Sequence, residues 1–190
     1  LAMVDASIGG KVGVDLPQGK NLVGAFFPPA LVLADPELLA TLPPEEYRSG
    51  LAEVVKHGII SDAKLFKELR PASLPLTRNL LRRALQVKIE IVQRDPYEKG
   101  ERAKLNMGHT IGHGIEAASG YTLRHGEAIA IGILAETRLA VRSGIAQEDL
   151  SEQVEEKLQS LGLPTTYPGL QPKHIRALMT SDKKKRDGGL

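Results

Sequence analysis

The sequence has no cysteine and no tryptophan among its 190 residues, and aromatic side chains make up only 4% of it. Without cysteine, disulfide bonds and thiolate metal sites are excluded, so any metal would be bound by histidine and carboxylate. No uninterrupted apolar run reaches the length that crosses a bilayer, and no secretory signal is visible. We therefore expect a soluble, cytoplasmic protein with no membrane partner.

A strong charge of one sign is also missing. The 25 basic and 23 acidic residues leave a net charge of +2 and are spread along the chain. A nucleic-acid groove would need basic residues collected on one face, so nucleic acid is not an expected partner. Hydrophobic residues make up 42% of the sequence, which is enough for a core and argues against disorder.

Two regions of the chain differ in composition and in the periodicity of their apolar residues. Residues 1–42 are rich in glycine, proline and valine, and their short apolar runs predict strands at Val12–Val14, Leu22–Phe27 and Leu31–Ala34. Helical periodicity begins at Pro43 and predicts helices at residues 50–60, 62–69, 76–94, 101–119, 126–143, 147–161 and 171–180. We predict a mostly α chain: residues 43–190 form a helical domain that binds metal and substrate, and residues 1–42 are the last strands of an α/β domain. Both ends look cut, so we expect an internal piece of a longer protein.

Chemically active side chains recur every three or four residues in the middle third of the chain. They are Glu98, Arg102, Asn106, His109 and His113. This spacing predicts that they share one side of a helix, where a helix that only covered a core would carry apolar residues. His125 follows at the start of the next predicted helix. A carboxylate, a guanidinium, an amide and three imidazoles are typical of a metal site that also handles an anionic substrate.

The candidate metal ligands are histidines and one acid. His109 and His113 have the spacing that turns two imidazoles the same way, although such a pair alone is as typical of ordinary packing. His125 offers a third imidazole. Glu53 is the best carboxylate candidate because it lies in an otherwise apolar helical stretch, where acids are rare unless they are paired or bind metal. An ion pair between Glu53 and Lys56 is the structural alternative.

Three lysines stand where an anion could bind. Lys11 and Lys20 each follow glycine in turns that expose backbone N–H groups, which suits phosphate, but the order of a nucleoside-triphosphate loop is absent. Lys88 is polar within an apolar stretch. Each lysine alone is typical of a solvated side chain; together with the metal residues they favour an anionic small molecule. His57 is interpreted as a residue on a helix surface.

Five segments resemble motifs of the 3-dehydroquinate synthase family, in that family's order: residues 5–15, 19–26, 50–56, 105–113 and 125–128. The likeness runs from the first residue to the last. It implies conversion of 3-deoxy-arabino-heptulosonate 7-phosphate to 3-dehydroquinate in the shikimate pathway, with NAD and a divalent metal, Zn²⁺ or Co²⁺. It also implies a Rossmann-like NAD domain before the helical domain, and a homodimer. The family's glycine-rich dinucleotide segment is missing here, so the isolated piece is expected to bind NAD poorly.

The same resemblance implies a role for each matching residue. The metal ligands would be Glu53, His109 and His125, and the catalytic residues would be His113, Lys11, Glu98, Arg102 and Asn106. Substrate contacts are implied for Asp5, Lys11, Asn21, Lys56, Lys88, Arg102, Asn106, His109 and for Lys183 or Lys184. NAD contacts are implied for Lys20, Leu38, Leu39, Ala40 and Thr41. Pro96, where an acid is common, and Gly114, where alanine is usual, depart from the family pattern without touching a predicted role.

Three alternatives remain open from the sequence. Another NAD- and zinc-dependent sugar-phosphate cyclase, of the 2-deoxy-scyllo-inosose or valiolone synthase type, would share the fold. Such cyclases tend to change pocket residues, whereas Lys88, Arg102, Asn106 and His113 keep the dehydroquinate pattern. A metal-dependent polyol dehydrogenase would not need the phosphate pocket. The third alternative is an inactive fragment that serves only as a helical scaffold.

Overall fold

A computed structural model describes residues 1–16, 19–169 and 171–187, and the side chains of residues 1–14, 16, 23–169 and 171–179. Its helices are α1 Pro44–Ser61, α2 Ala63–Glu68, α3 Arg78–Arg94, α4 His109–Ala118, α5 His125–Arg142, α6 Ser151–Ser160 and α7 Pro172–Asp187. The two strands are β1 Lys11–Leu16 and β2 Gly19–Phe26. The prediction of a mostly α chain is confirmed. No helix in the described ranges is both long and apolar enough to cross a membrane.

The two strands form an antiparallel hairpin, with Lys11 opposite Phe26 and Val14 opposite Val23. It accounts for two of the three predicted strands. The third prediction, Leu31–Ala34, is wrong, since the segment has no strand conformation. An extended segment counts as a strand only when a neighbour accepts and donates its backbone hydrogen bonds, and within the described residues the only sheet is the hairpin.

Helix α1 is the centre of the fold. It begins at Pro44, with acids in its first turn as the sequence predicts, and residues 49–58 are all buried. The hydrophobic core contains Leu51 and Val54 of α1 and Ile129, Ile133 and Leu134 of α5. Because α1 is covered on every side, its polar residues Glu53, Lys56 and His57 lie inside the protein. The interpretation of His57 as a surface residue is therefore wrong.

Helices α4 and α5 approach each other through glycine. A Cβ atom on Gly132 of α5 would overlap the carbonyl oxygen of Gly108 and lie 2.8 Å from the backbone nitrogen of Gly112. A Cβ atom on Gly126 would overlap the carbonyl oxygen of Ser49, so the start of α5 is pressed against α1. Because these glycines have no side chain, α4 and α5 can pack closely against each other. The first turn of α5 likewise packs closely on α1.

The predicted helix over residues 101–119 is divided in two. A 3₁₀ helix covers Glu101–Asn106, and α4 begins only after Gly108, whose φ of +78° is the left-handed conformation that favours glycine. Glu98 stands before both, in a turn with φ of +57°. The Asp95 carboxylate holds that turn by accepting three backbone N–H groups. The prediction of one continuous polar helix face is thus wrong, because a break, and not helical periodicity, gathers these side chains.

Asp62 joins three helices and yields a stability prediction. Its carboxylate caps α2 by accepting the Leu65 N–H at 2.8 Å, and it accepts from Arg83 Nε of α3 at 2.9 Å. These Arg83 hydrogen bonds are the main reason that the pKa of Asp62 is lowered. A lowered folded pKa means that the carboxylate stabilises the fold above its unfolded pKa, and that this contribution is lost as the pH falls through the folded pKa.

We expect Asp62→Asn to lower the free energy of unfolding by about 1 kcal/mol at pH 7, since asparagine keeps the cap but loses the charge. Urea unfolding at pH 7 and pH 3 measures the effect, which should shrink at the lower pH. Asp149→Asn is the control, because Asp149 is an exposed residue that accepts the Ser151 N–H. A loss at Asp62 that is equal at both pH values would contradict the charged Arg83 contact.

Candidate metal centre

Glu53 and two histidines converge from three helices. Glu53 Oε1 of α1 lies 3.6 Å from Nε2 of His109, the first residue of α4, and 3.5 Å from Nε2 of His125, the first residue of α5. The two imidazole centroids are 5.4 Å apart. Ligand atoms about 2.0–2.1 Å from a tetrahedral zinc are separated by about 3.4 Å. The two distances from Glu53 to the imidazole nitrogens therefore suit ligands of one shared ion.

The far nitrogens of the same two rings face acceptors. His109 Nδ1 lies 3.1 Å from the Met107 carbonyl oxygen, and His125 Nδ1 lies 3.5 Å from Oε2 of Glu116 on α4. Acceptors at Nδ1 fix the ring and its tautomer and leave Nε2 to a metal, which is the usual arrangement around bound zinc. Sequence reasoning missed Glu116. The available signal was the same one that identified Glu53, an acid within an apolar helical stretch.

The buried carboxylate of Glu53 tests whether the residues fit a metal. Its side chain is 0% exposed, and neither oxygen has a hydrogen bond of good geometry within the described part of the chain. Burial raises its pKa, but Lys56, His125 and His109 together hold the pKa well below the ordinary value, so the group is ionised. A buried carboxylate with unused lone pairs beside two imidazole nitrogens is a suitable donor set for a divalent metal. The residues fit.

The ion pair with Lys56, predicted as the alternative for Glu53, is present as well. The Lys56 ammonium contacts Glu53 Oε2, whereas the histidines approach Oε1. The two explanations are compatible because they use different oxygens of one carboxylate. Lys56 then balances part of the charge that Glu53 carries into the core.

Protonation differs between the two histidines. Burial lowers the pKa of His109 to about 4 despite the opposing charge of Glu53, so its imidazole is neutral at physiological pH. Burial also acts on His125, but the nearby carboxylates of Glu116 and Glu53 outweigh it and raise its pKa to about 9. A metal needs the neutral form of both rings, and its binding at His125 therefore competes with a proton.

His113 adjoins the centre on its exposed side. Its ring centroid is 5.3 Å from that of His109 and 5.7 Å from that of His125, and one nitrogen of each of the three rings falls within 4.8 Å of the others. Three histidines could thus hold a metal without Glu53. We favour Glu53 as the third ligand because its buried charge needs cations, whereas His113 faces solvent.

A second carboxylate–imidazole group, Asp5 with Glu53 and His57, is also compact enough for an ion. Asp5 Oδ1, however, accepts from Lys88 Nζ at 2.7 Å and lies 3.9 Å from Lys56 Nζ. Two ammonium groups around one carboxylate repel a further cation. Burial, followed by the Lys56 charge, lowers the pKa of His57 to about 4, so this ring is neutral. The group is an ion-pair network and not a second metal site.

Three predicted catalytic residues lie around a fourth, Glu98. Lys11 forms an ion pair with its carboxylate, and Asn106 Nδ2 donates to Oε1 at 2.5 Å. Burial alone would raise the pKa of Glu98, but these two partners have the larger, opposite effect, so the pKa is lowered. Arg102, which is buried, donates to the carbonyls of Gly9 and Pro96. The contact between Lys11 of β1 and Glu98 joins the hairpin to the turn that contains Glu98.

The remaining predicted residues are placed as follows. Leu38, Leu39, Ala40 and Thr41 belong to a 3₁₀ helix over Pro36–Thr41; Leu39 packs on the core, and the Thr41 hydroxyl donates to the Leu38 carbonyl at 2.9 Å. Their contact with NAD stays a prediction. The side chains of Lys20, Asn21, Lys183 and Lys184 lie outside the described residues, and their roles stay predictions too.

Imidazoles at the starts of two helices, facing a buried carboxylate on a third, define a helical protein built around a candidate metal-binding centre. Residues 50–185 match the model of the 3-dehydroquinate synthase C-terminal region, and residues 1–49 match that of the N-terminal region. The chain belongs to the 3-dehydroquinate synthase family, which confirms the resemblance found in the sequence.

Individual relatives agree with that assignment. The chain is 48% identical to the 3-dehydroquinate synthase of Symbiobacterium thermophilum, over 99% of this chain and 55% of the relative. It is 49% identical to that of a Synechococcus species, over 99% of this chain and 54% of the relative. The chain thus spans about half the length of the curated relatives it matches.

Solved structures with the same fold contain cofactors. The 2-epi-5-epi-valiolone synthase of Streptomyces hygroscopicus, with NAD⁺ and Zn²⁺ bound, is 36% identical with a TM-score of 0.86, over 98% of this chain and 54% of that one. A 2-deoxy-scyllo-inosose synthase complexed with carbaglucose-6-phosphate, NAD⁺ and Co²⁺ is 32% identical with a TM-score of 0.83, over 94% of this chain and 51% of that one.

Proposed function

We propose that this chain carries the metal- and substrate-binding residues of a 3-dehydroquinate synthase. The reaction converts 3-deoxy-arabino-heptulosonate 7-phosphate to 3-dehydroquinate and phosphate, in the shikimate pathway that leads to aromatic amino acids. The observation that carries the proposal is the convergence of Glu53, His109 and His125 beside a group of lysines. The division at residue 42, a homodimer and a cytoplasmic location belong to the same proposal.

Zinc or cobalt, with NAD, completes the proposed site. Glu53, His109 and His125 would hold the metal. The chemistry supplied there would be polarisation of a substrate hydroxyl by the metal and reversible hydride transfer with NAD, with no net redox change. Both groups are proposed for this chain because they occur in the two similar synthases.

The chain's own residues would bind and orient the substrate. Lys11, Lys88 and Arg102 present fixed cations that suit the phosphate and carboxylate groups of the substrate. Asn106 offers an amide beside them, and Glu98 holds both Asn106 and Lys11 in place. His113, at the exposed edge of the metal centre, is positioned to hold or move a proton. The protein would act mainly by orientation, and the phosphate of the substrate would serve as a base.

A different cyclase reaction is the second candidate, because the two similar structures are cyclases of other substrates. Identity favours the first candidate: 48% and 49% to the 3-dehydroquinate synthases, against 36% and 32% to the other two enzymes. The test supplies the full-length protein that contains this chain with Zn²⁺, NAD and either the heptulosonate phosphate or glucose 6-phosphate. We expect phosphate and 3-dehydroquinate from the first substrate only, and turnover of the second alone would refute the proposal.

Replacement of His113 separates a ligand from a catalytic residue. We expect His113→Ala to keep zinc, since Glu53, His109 and His125 remain, and to lose about 10²–10⁴-fold in turnover, the usual contribution of a general acid or base. Metal content and product formation are measured on the same preparation. Loss of zinc together with turnover would instead make His113 a ligand.

A further inference from the structure

The start of α4 has an unusual cap. The first N–H groups of a helix have no partner within the helix, and the residue before α4, Gly108, has no side chain to supply one. Glu136, three turns along α5, supplies it instead. Its Oε2 accepts the Gly108 N–H at 2.7 Å, and its Oε1 faces the Ile111 N–H at 3.5 Å. The carboxylate thus spans the backbone on both sides of His109.

The contact has a counterpart in the opposite direction. Glu116 of α4 faces the His125 ring at the start of α5, as Glu136 of α5 holds the start of α4. Each helix therefore contributes a carboxylate to the end of the other that carries a candidate ligand. On α5, Gly132 lies between the two contacts, and the backbone of Gly108 approaches it so closely that a Cβ atom there would overlap the Gly108 carbonyl oxygen.

We propose that Glu136 is a positioning residue of the metal centre, which holds the first turn of α4, and with it the His109 imidazole, in register with His125. The metal named here rests on the proposed function. The geometry gives the reason: His109 is the first residue of α4, so its Cα position follows the N–H groups that Glu136 binds on either side. Metal sites lose affinity when the groups that orient their ligands are removed.

The experiment compares Glu136→Ala and Glu136→Gln with Glu155→Gln in the whole protein. Glu155 of α6 pairs with Arg138 of α5, and within the described residues this ion pair is separate from the metal centre. Zinc affinity is measured by chelator competition, and the Co²⁺-loaded absorption spectrum reports the ligand geometry. We expect Glu136→Ala to weaken zinc about 10–100-fold and to change the spectrum. Glu136→Gln, which keeps one acceptor oxygen, should fall between Glu136→Ala and the parent, and Glu155→Gln should match the parent.

Hydrogen exchange of the metal-free protein adds a readout that does not depend on activity. Exchange at residues 108–111 should accelerate in Glu136→Ala and not in Glu155→Gln. Faster exchange with unchanged zinc affinity would overturn the proposal, because the cap would then serve stability alone. If Glu136→Ala fails to fold, Glu136→Gln decides: several-fold weaker zinc supports the proposal, and parental affinity overturns it. The variants could show the expected order of zinc affinities while the parent protein makes no 3-dehydroquinate. That result would refute the proposed function but would still support the positioning role of Glu136.

Discussion

Glu53→Gln should leave the protein without bound zinc and without turnover. Glutamine occupies the same volume but removes the charge that offsets the metal, and the metal then keeps two neutral imidazoles. Loss of a direct ligand should exceed the 10–100-fold loss typical of the groups that orient ligands, so we expect zinc affinity to fall by more than about 100-fold. Equilibrium dialysis of zinc, with product formation on the same sample, checks both effects.

Two controls accompany this substitution. Glu90→Gln removes a carboxylate whose side chain is 46% exposed on α3, and it should change neither zinc content nor turnover. Because Glu53→Gln leaves the buried Lys56 ammonium short of its partner, which is costly, the double variant with Lys56→Met restores a neutral interior. Zinc bound at parental affinity in that double variant would exclude Glu53 as a ligand.

Gly132→Ala should damage the protein strongly although it adds only one methyl group. The added methyl group overlaps the Gly108 carbonyl oxygen, a backbone atom that cannot rotate away, so α4 and α5 must separate. We expect the free energy of unfolding to fall by about 3 kcal/mol, the upper part of the range for overpacked cores. Zinc affinity should fall too, since the separating helices carry His109 and His125. Denaturant unfolding of the metal-free protein and a zinc titration measure the two effects.

Gly114→Ala is the matched control, with the same added methyl group on α4. Its nearest neighbour is Met179 Cγ, at 2.8 Å, in a flexible side chain that can move. Alanine also favours the helix by about 1 kcal/mol relative to glycine. Stability should therefore change little or rise. If both substitutions destabilise the protein equally, the tight contact at Gly132 is not the cause.

The sequence was sufficient for much of the site because the motifs are local and specific. Glu53 stood out as an acid in an apolar stretch, and burial of α1 on every side explains why that signal was meaningful. His109 followed from a motif inside a predicted helix, and His125 followed from a motif at the start of the next one. The convergence of these three residues reproduces the set that the resemblance implied, although their roles stay proposals.

Other features depended on contacts that no local pattern contains. The break at Gly108 arises from a left-handed backbone and from the approach of α5, so periodicity alone predicted a continuous helix. Leu31–Ala34 has the composition of a strand, but pairing is a property of two segments, and no segment of the described residues pairs with it. His57 resembled a surface residue because the packing of other helices around α1 is invisible in a single helix.

The cations proposed for the substrate already touch oxygen atoms of the chain: Lys11 on Glu98, Lys88 on Asp5, and Arg102 on two carbonyls. An anion that binds these cations must therefore replace their internal oxygen partners, and each single replacement adds little to the binding free energy. Only a molecule whose negative groups are spaced to make several exchanges at once is held firmly. If these cations bind the substrate as proposed, we expect the competition to disfavour chloride and free sulfate relative to a phosphorylated acid.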